Sequence, residues 1–114
     1  MVRILIYCFM SELAKKNVVD HGEKLSDEET ISLKNQINSN WEIKGGKLFR
    51  HFDFDNFKKS RKFVDKIADL ADEVNHHPDI TFSFKYVEVV IYTHAIGSLA
   101  EGDFVLAAKI DLLT

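Results

Sequence analysis

The only proline of the chain, Pro78, separates two stretches of opposite periodicity. Before it, Phe57, Ser60, Val64, Ile67, Ala71 and Val74 recur at spacings of three and four. Lys58, Lys59, Arg61, Lys62, Asp65, Lys66 and Asp69 fall between them, the pattern of an amphipathic helix with a solvated outer face. After it, "ITFSFKYVEVVIYTH" is β-branched and aromatic throughout and reads as extended chain, either one long strand or a hairpin. The usual strand length of about five or six residues favours two strands bending near Lys85 and Tyr86. Proline has no N–H to continue a helix and disfavours helical backbone at the residue before it, so the helix must stop around residues 75–77. The chain therefore has to pack a helix against strands that follow it at once.

The remaining segments extend that pattern. "SDEETISLKNQINSN" opens with Ser26 and has Glu29 three residues later, the spacing of a capping box, which predicts a first helix. In "WEIKGGKLFRHFDF", Trp41 and Ile43 share a face, Gly45-Gly46 supplies the positive φ of a tight turn, and Leu48, Phe52 and Phe54 alternate, which predicts a β-hairpin. The run from Phe104 through Leu106, Ala107 and Ile110 to Leu113 closes the chain as a helix. The order is αββαββα, an α+β fold with a four-stranded antiparallel sheet and helices packed on one face.

At 114 residues, with 46% hydrophobic residues and nine Phe, the chain supplies one core and has no disordered or low-complexity tract. The net charge of −3 argues against nucleic acid as a partner. A single cysteine, Cys8, excludes an internal disulfide and a cysteine-based zinc cluster, and fits a reducing compartment such as the cytoplasm. "MVRILIYCFM" is too short to span a bilayer and is followed by a poor cleavage site, so an extra strand or helix is the plainer expectation, with organelle targeting left open.

The chemistry-bearing residues gather around "NHHPD". Asp72 precedes His76 by one helical turn, so its carboxylate is expected beside that imidazole, stabilising its charged form. The end of the helix dipole acts in the same direction. The plain alternative is a surface ion pair that caps a helix. His77 either flanks the same cavity or faces solvent, and His94 sits at a strand end with Glu88, Val90 and Tyr92 on its face. Asp103 is placed to bond a free N–H in the first turn of the last helix. Trp41 is a core anchor or a wall for a flat ligand. Three histidines can hold zinc, but two adjacent ones on a kinked backbone are a weak metal signal beside the paired histidines of an HExxH helix. No serine lies in a nucleophile elbow and Cys8 sits in an apolar run, so nucleophilic catalysis is disfavoured.

The run Asp72-Glu73-Val74-Asn75-His76-His77-Pro78, with Phe84, His94 and Asp103 following at matching intervals, resembles the signature of the pterin-4a-carbinolamine dehydratases. The likeness runs from Leu25 to "AAKID" and leaves residues 1–24 as an extension outside a dehydratase domain at 25–114. It implies the αββαββα fold, a hinge at Lys85-Tyr86, assembly into homodimers or homotetramers, and no cofactor and no metal. It implies dehydration of 4a-hydroxytetrahydropterin to the quinonoid dihydropterin, the recycling step after aromatic amino-acid hydroxylation. The catalytic set it implies is His76, His77, His94 and Asp72. His76 and His94 would be the acid/base pair, His77 would bind and orient the pterin, and Trp41, Pro78 and Asp103 would complete the substrate site. Some animal members also act as dimerisation partners of a transcription factor, and that non-catalytic role is the alternative. Two departures stand out in a stretch commonly Gly-Gly-Leu-Ser/Thr, which is Gly97-Ser98-Leu99-Ala100 here: Ser98 replaces a glycine and Ala100 replaces a hydroxyl residue. Ala100 lacks the hydroxyl that would cap the last helix, a loss of about 1 kcal/mol that bears on the geometry at Asp103.

Overall fold

The computed structural model describes residues 12–19 and 22–114; the expectations for "MVRILIYCFM" lie outside the described residues. Helix α1 (Asp27–Lys34) begins at the expected capping box. Ser26 Oγ accepts from the Glu29 N–H at 3.1 Å, and Glu29 Oε1 accepts from the Ser26 N–H at 3.0 Å. Strands β1 (Glu42–Lys44) and β2 (Lys47–Asp53) form the hairpin. Its turn needs positive φ at both central residues, which Gly45 and Gly46 provide at 57° and 73°. Helix α2 (Phe57–Val74) is capped by the Asn56 side chain, which accepts from the Lys59 N–H. Strands β3 (Asp79–Phe82) and β4 (Tyr86–Ile91) and helix α3 (Glu101–Asp111) follow.

The four strands lie in the order β1-β2-β4-β3, all antiparallel. The turn between β3 and β4 covers residues 83–85, with the Ser83 N–H bonded to the Tyr86 carbonyl. Tyr86 is thus already in its strand, one residue earlier than the expected hinge.

Alternation along the central strands divides the sheet into two faces. Leu48, Phe52, Val87, Val89 and Ile91 are buried beneath α2 and α3, while Phe49, His51, Glu88 and Val90 occupy the other face. Helix α3 is buried nearly all round, from Gly102 to Ala108 and again at Ile110. Helix α2 buries Ser60, Phe63, Ile67 and Ala71. Phe57 and Val64 therefore lie off the centre of the buried face: Phe57 is exposed and stacks on Phe82, with ring centroids 4.9 Å apart.

Described residues before α1 contribute to this core. Leu13 and Ala14 are buried among the core side chains, and the Lys109 ammonium donates to the Ala14 carbonyl at 2.6 Å. The Leu25 N–H donates to the Leu99 carbonyl at 3.1 Å. A Cβ on residue 102 would collide with the Val19 carbonyl, so the chain crosses the start of α3 where only glycine fits.

Candidate active site

The two adjacent histidines are separated by the way α2 ends. Asn75 takes the left-handed conformation, φ 54° and ψ 42°, and its N–H and that of His76 both reach the Ala71 carbonyl. Asparagine tolerates that conformation, and such a residue commonly terminates a helix. The helix stops three residues before Pro78, and its backbone reverses so that His76 turns inward while His77 turns out. His76 is 4% exposed, whereas the His77 side chain is 57% exposed.

Asp103 meets His76 from the first turn of α3. Its Oδ1 lies 2.7 Å from His76 Nε2, and the carboxylate is fully buried. Its Oδ2 accepts from the Thr93 hydroxyl at 2.7 Å and from the Ala100 N–H at 2.8 Å. An ionised carboxylate only accepts, so in that form Asp103 takes its third hydrogen bond from Nε2 of His76. Nδ1 is the nitrogen left for the cleft. Asp103 also supplies the half of the capping box that does not depend on the missing hydroxyl: Ala100 offers no side-chain oxygen, but the carboxylate satisfies the Ala100 N–H.

His94 follows β4, in a turn closed by the Thr93 N–H on the Ser98 carbonyl at 2.9 Å. The alternation predicted along β4 continues into it: Thr93 is buried and His94 exposed. The His94 ring rests against Tyr92, with centroids 4.2 Å apart. Asn75, His76, His77 and His94 line one cleft of about 170 Å³. A roomier cavity of about 360 Å³ lies between residues 17–25 and the start of α3. Among the described residues its ionisable walls are Glu23 and Glu101, whereas the smaller cleft gathers three imidazoles.

One expected pairing changes, and Trp41 takes the first of its two expected places. Asp72 pairs with His77 rather than His76, at 3.1 Å from Nε2, because the left-handed Asn75 breaks the one-turn relation between Asp72 and His76. Asp103 is behind His76, not on the cleft wall, and reaches a ligand only through that ring. Trp41 is a core residue, 1% exposed. Its indole N–H donates to Asp111 at 2.8 Å, an oxygen that also accepts from Arg50, and burial pushes the Asp111 carboxyl up. Pro78 is half-buried and is not among the four lining residues. Thr93 and Asn75 were not singled out from sequence. The signal available for Asn75 was its place at the end of an amphipathic run, where asparagine favours the left-handed cap. Among the described residues, no three histidine, cysteine or carboxylate side chains converge to hold a metal ion.

Residues 23–113 match the family model described as pterin 4 alpha carbinolamine dehydratase. The chain belongs to that dehydratase family. A relative from Rubrobacter xylanophilus that carries the dehydratase name is 43% identical over 91% of this chain and all of its own length. One from Rickettsia bellii is 41% identical over 95% of this chain and 96% of its own. Both matches reach well into the segment before Leu25, in keeping with the burial of Leu13 and Ala14 in the core. Among solved structures, the chain is similar to a transcriptional coactivator/pterin dehydratase from Brucella melitensis. The TM-score is 0.75 at 22% identity, over 80% of this chain and 98% of that one. It is also similar to a pterin dehydratase-like protein described as a RuBisCO assembly factor in the alpha-carboxysome. There the TM-score is 0.58 at 30% identity, over 65% of this chain and 88% of that one. Among the described residues, no helix is long and apolar enough to cross a membrane.

Proposed function

We propose that this protein removes water from a 4a-hydroxytetrahydropterin to give the quinonoid dihydropterin, in pterin recycling within a reducing compartment such as the cytoplasm. The observation that carries the reading is three imidazoles around one cleft, one of them backed by a buried carboxylate. In the reaction the C4a–O bond breaks and its electron pair leaves with oxygen, which takes a proton from an acid and departs as water. A base takes the N5 proton, and the electrons of that bond form C4a=N5. There is no net oxidation, so proton transfer suffices and no cofactor is called for. His76 and His94 are the acid/base pair, and Asp103 stabilises the charge that His76 carries when both its nitrogens are protonated. His77, exposed and held by Asp72, orients the pterin.

Assay with freshly generated carbinolamine tests this directly. His76→Ala and His94→Ala are expected to lower turnover by about a hundredfold or more, His77→Ala to act mainly on KM, and exhaustive chelation to change nothing. Loss of activity on chelation, restored by zinc, would instead make the histidines metal ligands. The second reading is a non-catalytic binding role, favoured by the coactivator and assembly-factor titles of the two structural neighbours. It predicts a folded protein inert in the assay.

The protein is further proposed to be a homodimer or homotetramer. Among the described residues β1 and β3 end the sheet with unpaired edges, and Phe82 and Phe84 are exposed at the β3 side. Light scattering that gives a monomer at micromolar concentration would refute it.

A further inference from the structure

His76 and His94 reach the cleft under very different constraint. His76 is locked by a buried hydrogen bond to Asp103. His94 is exposed, stands in a turn, and makes no side-chain hydrogen bond among the described residues. An imidazole free to rotate at χ1 and χ2 would spend most of its time out of register with a bound substrate, and a loss of positioning is costly to a proton transfer. The aromatic ring packed against it, among the described residues, is Tyr92. The two rings are tilted by 32° with centroids 4.2 Å apart, a little closer than the roughly 4.5–7 Å usual for packed aromatic pairs.

Tyr92 is itself held. The β2–β4 register pairs Leu48 with Ile91, so the next residues out, Lys47 and Tyr92, are direct neighbours on the outer sheet face. The Lys47 ammonium lies 4.1 Å from the Tyr92 ring centroid, the geometry of a cation–π contact. We infer that Tyr92 is a positioning residue for His94: its ring, steadied by Lys47, holds the otherwise unbonded imidazole at the rim of the cleft. It is the ring that does this, because no bond of the Tyr92 hydroxyl enters the contact. This inference rests on the proposed acid/base role of His94. It adds to that role a chain of contacts, from β2 through β4 to the turn, that leads out of the cleft.

The test compares Tyr92→Phe, Tyr92→Leu and Lys47→Met in the full chain, by kinetics and by NMR of the His94 ring protons. Tyr92→Phe is expected to keep both the upfield ring-current shift of those protons and wild-type kcat. Tyr92→Leu, which keeps apolar bulk on a half-buried site, should lose the shift and lower kcat by about five- to tenfold with little change in KM, the order set by losing one aromatic pair. Lys47→Met should fall between them. If Tyr92→Leu is folded and retains wild-type kcat, or if Tyr92→Phe falls as far as Tyr92→Leu, the assignment is overturned. If all the proteins, wild type included, are inert toward carbinolamine, the proposed function fails. The NMR shift then decides the contact by itself: its survival in Tyr92→Leu overturns the contact, and its presence in wild type and Tyr92→Phe with loss in Tyr92→Leu upholds it.

Discussion

Asp103 uses both carboxylate oxygens, one for His76 and the other for Thr93 and Ala100. An amide in its place has one acceptor and one donor group, so at least one of the three donors must face an N–H. Asp103→Asn is therefore expected to cost about 1–3 kcal/mol in urea unfolding and to lower turnover by about a hundredfold or more. Wild-type turnover in that variant would remove His76 from proton transfer. Asp72→Asn tests the opposite case. Its partner is His77, both side chains are more than half exposed, and such pairs contribute under about 1 kcal/mol. The pH–rate profile should stay where it is, and any loss should be in KM. From sequence, the one-turn spacing of Asp72 and His76 points to the wrong pair. That spacing rule holds only while the helix continues, and one left-handed residue, Asn75, ends its reach. The true partner lies on another element, where local spacing carries no information.

At the level of elements, periodicity and turn chemistry were enough to read the helices, the Gly45-Gly46 hairpin and the alternation of β4, because each depends on near neighbours. Side-chain links between strands depend on register and were not readable. His51 is the case with a testable consequence. Its Nδ1 lies 3.0 Å from Glu88 on β4 and its Nε2 2.9 Å from Asp53 on β2. A ring facing acceptors at both nitrogens holds both protons, so the bond to Glu88, then that to Asp53, raises its pKa above the ordinary value. A raised folded value means that the charged ring stabilises the fold fully below about pH 6.5. That contribution is lost as pH climbs through the raised value. The stability gap between wild type and His51→Gln should thus be largest in acid and shrink toward alkaline pH, by a modest amount since the site is partly exposed. A gap that stays constant across that range would show that the two carboxylates do not hold the proton.

At the scale of the whole molecule, residues 12–19 join the core through Leu13 and Ala14 and pass over α3 at Gly102. Composition shows apolar Leu13, Ala14, Val18 and Val19 among charged neighbours, but not that they share a core with a helix some ninety positions away. Leu13 is 2% exposed. Leu13→Ala should therefore lower stability by about 2–4 kcal/mol, measured by urea unfolding, as for any core leucine. A change within about 0.5 kcal/mol, the size of an ordinary surface substitution, would mean that the segment only rests on the domain.

Asp103 holds the start of a helix and backs a histidine with the same carboxylate. Selection for folding alone is thus enough to preserve it. A descendant that gave up chemistry for assembly or regulation would keep Asp103, and His76 with it, as long as α3 needed its cap. On the proposed mechanism, the residues that would report on retained chemistry are the exposed ones, His94 and His77. Their loss would be the first mark of a lineage that has changed its occupation.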